Sequence, residues 1–335
     1  MDASRLIVTR TPLRVSLVGG GTDLPAFYRR EGGAVLSTTI DRYVYVTVKR
    51  HSELFFEPVR VNYSRSEQVE RIDELENNIA RECLRFLGVD PPVYISTVGD
   101  VPASTGLGGS SAFAVGLLNA LHSYKGERAS AGQLAEEACH IEIDVLGERI
   151  GKQDQYAAAY GGLNLLSFKP DGGVTVEHLR IPGDRLREFF QSVLMFWTGH
   201  QRDASAVLSE QDDRTDLNLE SLRRMRDQAR DLHRALGAGE IDIEGIGRLL
   251  DRGWRMKREL AGSITTPLID GWYDAAMAAG ALGGKLCGAG GGGFLMFVVP
   301  PDRQAAVRSA LGDLFELPVG HESHGSQLVA PFHHG

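Results

Sequence analysis

The segment from Pro102 to Phe113 reads PASTGLGGSSAF. Gly106, Gly108 and Gly109 run straight into Ser110 and Ser111, and an apolar helical pattern follows in Phe113, Val115, Leu117, Leu118 and Leu121. Glycine lets the main chain turn tightly and approach a ligand with no Cβ in the way. The first turn of a helix then offers unpaired N–H groups and the positive end of a dipole. Together these make a seat for phosphate, and the serine hydroxyls could cap the helix or ligate a cation. A glycine-rich turn capped by serine explains this one segment equally well. Two further segments shift the balance. Gly19, Gly20 and Gly21 end a strand-like run and lead into Thr22 and Asp23, so Asp23 could accept hydrogen bonds from a polyhydroxylated ligand that the glycines allow close. Gly283 to Gly293 (GGKLCGAGGGG) is the third. Its G-x-G-x-x-G ending lies between a helix and a strand, whereas a dinucleotide fingerprint needs strand, loop and helix in that order. No lysine stands where a Walker loop needs one.

Charged groups cluster at 140–154, where His140, Glu142, Lys152 and Asp154 fall. Magnesium takes carboxylate and hydroxyl oxygens together with phosphate, a set that Glu142 and a loop serine could supply. Asp154 could take or orient the proton of an attacking hydroxyl. Spacing alone does not separate these roles from a helix-surface Glu and a loop Asp.

With 335 residues, the chain is long enough for about two domains. A net charge of -8 argues against nucleic acid as a partner. It leaves room for an anionic small substrate held by main-chain amides and a few cations. Cys83, Cys139 and Cys287 are widely spaced, show no zinc or disulfide pattern and suit a reducing cytoplasm. The start lacks a signal-peptide core, and no apolar run could span a membrane. The C-terminal His321, His324, His333 and His334 read as a surface tail.

The pattern of apolar residues predicts strands at 5–18 (broken near Pro12), 35–48, 93–98, 192–197, 294–299 and 327–330. A hairpin is expected from 161–168 and 174–179. Helices are expected at about 70–87, 111–123, 131–150, 222–236 and 302–313, with another opened by Thr266 and Pro267 as N-cap and first helical residue. This is an α+β chain in two parts, expected to divide into 1–185 and 186–335.

GGGTD (19–23), TIDRY (39–43), the loop at 102–111, EIDVLG (142–147), GKQDQYAAAYGGLN (151–164) and Thr198-Gly199 with Arg202 resemble, in this order, the GHMP family of small-molecule kinases. Within it they are most similar to the sugar 1-kinases of D-glycero-D-manno-heptose 7-phosphate. Fucose, galactose or other hexose 1-kinases come next, and a catalytically inactive sugar-sensing relative after them. The resemblance implies a ribosomal-protein-S5-like N-terminal domain, a ferredoxin-like C-terminal domain and a site between them. It implies ATP with its phosphates wrapped by Pro102, Ser104, Thr105, Gly106, Leu107, Gly108, Gly109, Ser110 and Ser111. Mg2+ would sit on Glu142 and a serine. The family's usual GLGSS is GLGGSS here; matching the glycines selects Ser110, and matching the final serine pair selects Ser111, with Ser110 preferred. Asp154 is the implied catalytic aspartate, and Arg14 the basic residue that neutralises charge beside the attacking oxygen. Gly20, Gly21, Thr22, Asp23, Gly290 and Gly291 would contact the sugar. Lys152, Arg42 and Arg202 are candidates for a distal phosphate, and Phe55 and Phe56 for the adenine. A homodimer is compatible with the sequence.

Overall fold

The computed structural model describes residues 6–201, 204–239 and 242–329, so Arg202, His333 and His334 lie outside the described residues. The first sheet grows around two long strands, β1 (Ile7–Val18) and β2 (Gly33–Arg50), with the short helix α1 (Pro25–Glu31) between them. Pro12 does not break β1; it coincides with a register shift against β2. β2 pairs with β1 on one side. On its other side it pairs first with β6 (Leu163–Phe168) and then with β5 (Val93–Gly99). β3 (Val59–Asn62) and β4 (Ser66–Val69) extend the β5 side, and β7 (Val174–His178) closes the expected hairpin with β6.

One face of this sheet carries α2 (Asn78–Phe86), α3 (Gly109–Tyr124), α4 (Ala131–Cys139) and α5 (Gln153–Tyr160); α3 lies directly on β1 and β2. The helix expected over 131–150 is shorter and changes character. After α4 the chain makes a π-helical turn, His140–Val145, and stops at Leu146. A π turn carries an extra residue, so two neighbouring side chains can face the same way. Ile141 and Glu142 are both buried as a result.

The second half contributes α6 (Gly183–Gln191), β8 (Val193–Trp197), α7 (Ala204–Asp213), α8 (Leu219–Ala238), α9 (Ile243–Arg258), α10 (Pro267–Ala278), β9 (Gly283–Leu286), β10 (Phe294–Val298), α11 (Gln304–Ala310) and β11 (Phe315–Glu316). Thr266 caps α10 as the sequence predicts, its hydroxyl accepting from the Ile269 N–H. The strands form an antiparallel sheet in the order β11-β8-β10-β9. Both of its faces are covered, which explains the unbroken apolar run in β10. Met195, Phe294 and Met296 join the core under the first sheet, while Leu194, Phe196, Leu295 and Phe297 join a second core with Trp254 and Tyr273. The last strand, β12 (Gln327–Val329), returns to pair with β1. The expected two-part α+β architecture is thus present, with the halves sharing one apolar core.

Lys285, opposite Met296 on β9, crosses between the halves and donates to the Ser16 carbonyl of β1 at 2.5 Å. Burial pushes its ammonium down to about 7, helped by Lys257 and Arg14 and opposed by Cys287. The unfolded chain keeps the ordinary value of 10.5. Between these values the unfolded state binds more protons, so this residue's contribution to stability rises with pH up to 10.5 and falls away toward 7. Lys285→Met is expected to flatten that rise, which is at most about 1.4 kcal/mol per pH unit. Denaturant titrations of wild type and variant at pH 7 and 9 check this; parallel stabilities at the two pH values contradict it.

Candidate active site

A cleft of about 310 Å³ opens where the N-terminal end of α3, the β1–α1 turn, the start of α5, and α7 and α9 converge. Arg14 of β1 sets its floor. Its guanidinium forks onto Asp154, Nε to Oδ1 and one terminal nitrogen to Oδ2, both at 2.6 Å, and the other terminal nitrogen donates to the Gly106 carbonyl at 2.6 Å. The Arg14 N–H also donates to the Leu107 carbonyl. Arg14 is buried, while the Asp154 side chain keeps 23% of its surface facing the cleft. Each carboxylate oxygen accepts at more than one position, so the fork orients Asp154 and leaves it able to accept a further hydrogen.

The loop ahead of α3 takes left-handed conformations at Ser104, Gly106 and Gly108. Ser104 is the one non-glycine residue with positive φ among the described residues. Gly108 caps α3 with no side-chain hydrogen bond. The serine-cap alternative therefore fails, and the first N–H groups of the helix have no side-chain acceptor. Ser104, Thr105, Gly106, Gly108, Gly109, Ser110 and Ser111 line the cleft. Pro102 is exposed outside it, and the Leu107 side chain packs into the core.

The Ser110 hydroxyl donates to Glu142 Oε1 at 2.8 Å, and the Gln155 amide donates to Oε2 at 2.7 Å. Burial pushes the Glu142 carboxyl up to about 7, with the serine hydroxyls and Gln155 holding the rise down. A buried carboxylate touching a hydroxyl suits a hard cation. No group of three or more His, Cys, Asp or Glu side chains that could hold a metal occurs among the described residues. A cation here would therefore depend on oxygens from a ligand, as one carried by polyphosphate does.

Across the cleft, Asp23 Oδ1 accepts from the Gly21 N–H at 2.9 Å, and burial raises its carboxyl above the usual range. Gly151 is required because a Cβ there would overlap the Asp23 carboxylate. The other residues expected at the sugar differ from expectation. Thr22 is fully buried, and its hydroxyl lies within donating distance of the Gly19 carbonyl of its own turn and the Ala34 carbonyl of β2, so it braces Asp23 rather than facing the cleft. Gly20 lies just behind the wall that Gly21 lines, and Gly288 and Ala289 line the cleft in place of Gly290 and Gly291, which pack on Ile264. Gly106 and Gly288 touch face to face, where any side chain would collide.

Lys152 donates to the Gly172 carbonyl and Arg42 to the Pro318 carbonyl, and neither lines the cleft. Phe55 and Phe56 are exposed beside Pro91 and Pro92, apart from it. His140 faces solvent and pairs with Asp144. The residues that sequence reasoning misses are Gln153 and Gln155 of α5, Gln211 of α7 and Lys257 of α9. Lys257 continues the buried stripe of Leu250 and Trp254, and a lysine on an apolar stripe is the signal that could have found it.

Models of the GHMP kinases N terminal domain and the GHMP kinases C terminal match residues 74–162 and 232–317. The chain is 29% identical over 318 residues to a D-glycero-alpha-D-manno-heptose 7-phosphate kinase of Campylobacter jejuni, covering 92% of this chain and 93% of that protein. It is 24% identical to a galactokinase of Pyrococcus furiosus, covering 91% and 92% respectively. A crystal structure of a D-glycero-D-manno-heptose 1-phosphate kinase from Bacteroides thetaiotaomicron superposes with a TM-score of 0.79 at 27% identity, covering 97% of this chain and 99% of that one. The chain belongs to the GHMP kinase family and, like the family's sugar kinases, is a phosphotransferase with an alcohol group as acceptor.

Proposed function

We propose that this enzyme transfers the γ-phosphoryl group of ATP to the anomeric hydroxyl of D-glycero-D-manno-heptose 7-phosphate, giving the 1,7-bisphosphate. The Arg14–Asp154 fork carries this reading, because it fixes an acidic side chain between an uncapped helix N-terminus and the Asp23 turn. The α3 amides and the loop 104–111 seat the polyphosphate. Ser110 and Glu142 are the residues suited to hold Mg2+, which would supply charge neutralisation on the phosphate oxygens. Asp154 accepts the proton of the attacking hydroxyl, and Arg14 holds that carboxylate in position and sets a positive charge beside the reacting oxygens. Asp23 accepts hydrogen bonds from sugar hydroxyls. Phosphoryl transfer of this kind depends mainly on positioning and charge neutralisation.

The heptose assignment draws on the relative from Campylobacter jejuni and on the strings that resemble its class. ADP release with Mg-ATP, measured across heptose 7-phosphate, heptose 1-phosphate, free heptose, fucose and galactose, tests it. Heptose 7-phosphate is expected to give the highest kcat/KM. Equal turnover of a free hexose removes the substrate assignment and leaves the kinase.

Asp154→Asn keeps the side chain's shape, removes the base and turns one of the fork's two acceptors into a donor. Its kcat is expected to fall about 10²–10⁴-fold while nucleotide affinity, read by calorimetry, stays within about twofold. A variant that keeps most of the wild-type kcat takes Asp154 out of the mechanism.

A further inference from the structure

Polar groups without partners gather around the glycine turn at 19–21. Gln211 is 1% exposed, and neither its amide oxygen nor its amide nitrogen finds a hydrogen-bond partner among the described residues. A Cβ on Gly21 would overlap that amide nitrogen, so the glycine is what lets Gln211 come so close. Ser16 Oγ and Gln153 Oε1 are likewise buried and, among the described residues, unpartnered. A Cβ placed on Gly20 would lie 3.0 Å from Ser16 Oγ, 3.8 Å from Gln153 Nε2 and 3.9 Å from Lys257 Nζ. The Lys257 ammonium is buried and donates to the Gly288 carbonyl at 2.6 Å, with no carboxylate within salt-bridge distance among the described residues. An ammonium has three donors, so two remain for a ligand. Buried polar groups are almost always paired. Gln211 and Lys257 both line the cleft that also holds Asp23 and Asp154.

We propose that Gln211 and Lys257, both from the C-terminal half, form the far wall of the acceptor pocket and select a polyhydroxylated substrate by hydrogen-bonding hydroxyls that Asp23 does not reach. The inference rests on reading this cleft as the acceptor site. The Gln211 amide both donates and accepts, which matches a sugar hydroxyl, and the Lys257 ammonium donates to a hydroxyl oxygen. The N-terminal half binds phosphates, supplies the base and offers Asp23 to some hydroxyls, so the remaining hydroxyls face the opposite wall. A site built to bond a hydroxyl strongly rejects an analogue that lacks it, because its own polar groups are left unpaired.

The test uses the full-length enzyme and whichever sugar of the panel above it phosphorylates best, together with the monodeoxy derivatives of that sugar. Gln211→Met is close in shape and apolar. It is expected to raise KM for the sugar at least 10-fold and to leave KM for ATP within twofold. The monodeoxy sugar that wild type rejects most is expected to lose nothing further in Gln211→Met, an effect a purely structural role would not produce. Lys257→Met is expected to show the same split between sugar and ATP. Should Gln211→Met fail to fold, Gln211→Glu keeps the acceptor oxygen, removes the donor and is read by the same deoxy-sugar comparison. Unchanged sugar KM, or deoxy penalties that persist in full in the variants, overturns the inference while the kinase stands. A wild type that phosphorylates no sugar of the panel takes down the functional reading and this inference with it.

Discussion

One guanidinium holds the centre of this molecule in register. Arg14 leaves a buried strand and binds the Gly106 carbonyl in the loop ahead of α3 and both oxygens of Asp154 at once. Three segments, around positions 14, 106 and 154, are thereby fixed relative to one another. A planar fork with fixed donors does this where a lysine could not, since an ammonium is a point charge without the matching geometry. Burial of Arg14 strengthens the pair, and the cleft-facing part of Asp154 stays available for chemistry.

The glycines follow from the same crowding. Gly106 meets Gly288 main chain to main chain, Gly151 makes space for the Asp23 carboxylate, and Gly21 makes space for Gln211. In each case a neighbouring group occupies the volume of a missing Cβ, and several of these residues also adopt positive φ. The three glycine-rich segments are therefore parts of one cleft. The two halves of the chain meet there over a shared core, and Lys285 bridges them beneath it.

Much of this was legible in the residues. The helix that follows the glycine loop, the 163–178 hairpin and the Thr266 cap all follow from local chemistry that needs no tertiary context, whereas the absence of a serine cap on α3 does not. Other features depend on contacts that a linear pattern does not encode. The π turn at 140–145 brings Glu142 inward, although an ideal helix would leave it at the edge of the apolar stripe. Thr22 reads as a ligand contact in sequence, but its hydroxyl is taken up by carbonyls of its own turn and of β2. β3 and β4 are four residues each, and β4 is polar, so periodicity has little to work on. Gln211 and Lys257 reach the cleft from helices that only the assembled halves bring to it, and Lys152 and Arg42, expected at a distal phosphate, turn instead to carbonyls.

The most direct measurement is a crystal structure with magnesium and a non-hydrolysable ATP analogue. The triphosphate is expected on the main-chain amides of 104–111, the cation between Ser110 and Glu142, and the terminal phosphate within reach of Asp154. A nucleotide bound elsewhere, with the 104–111 loop facing bulk water, would contradict it.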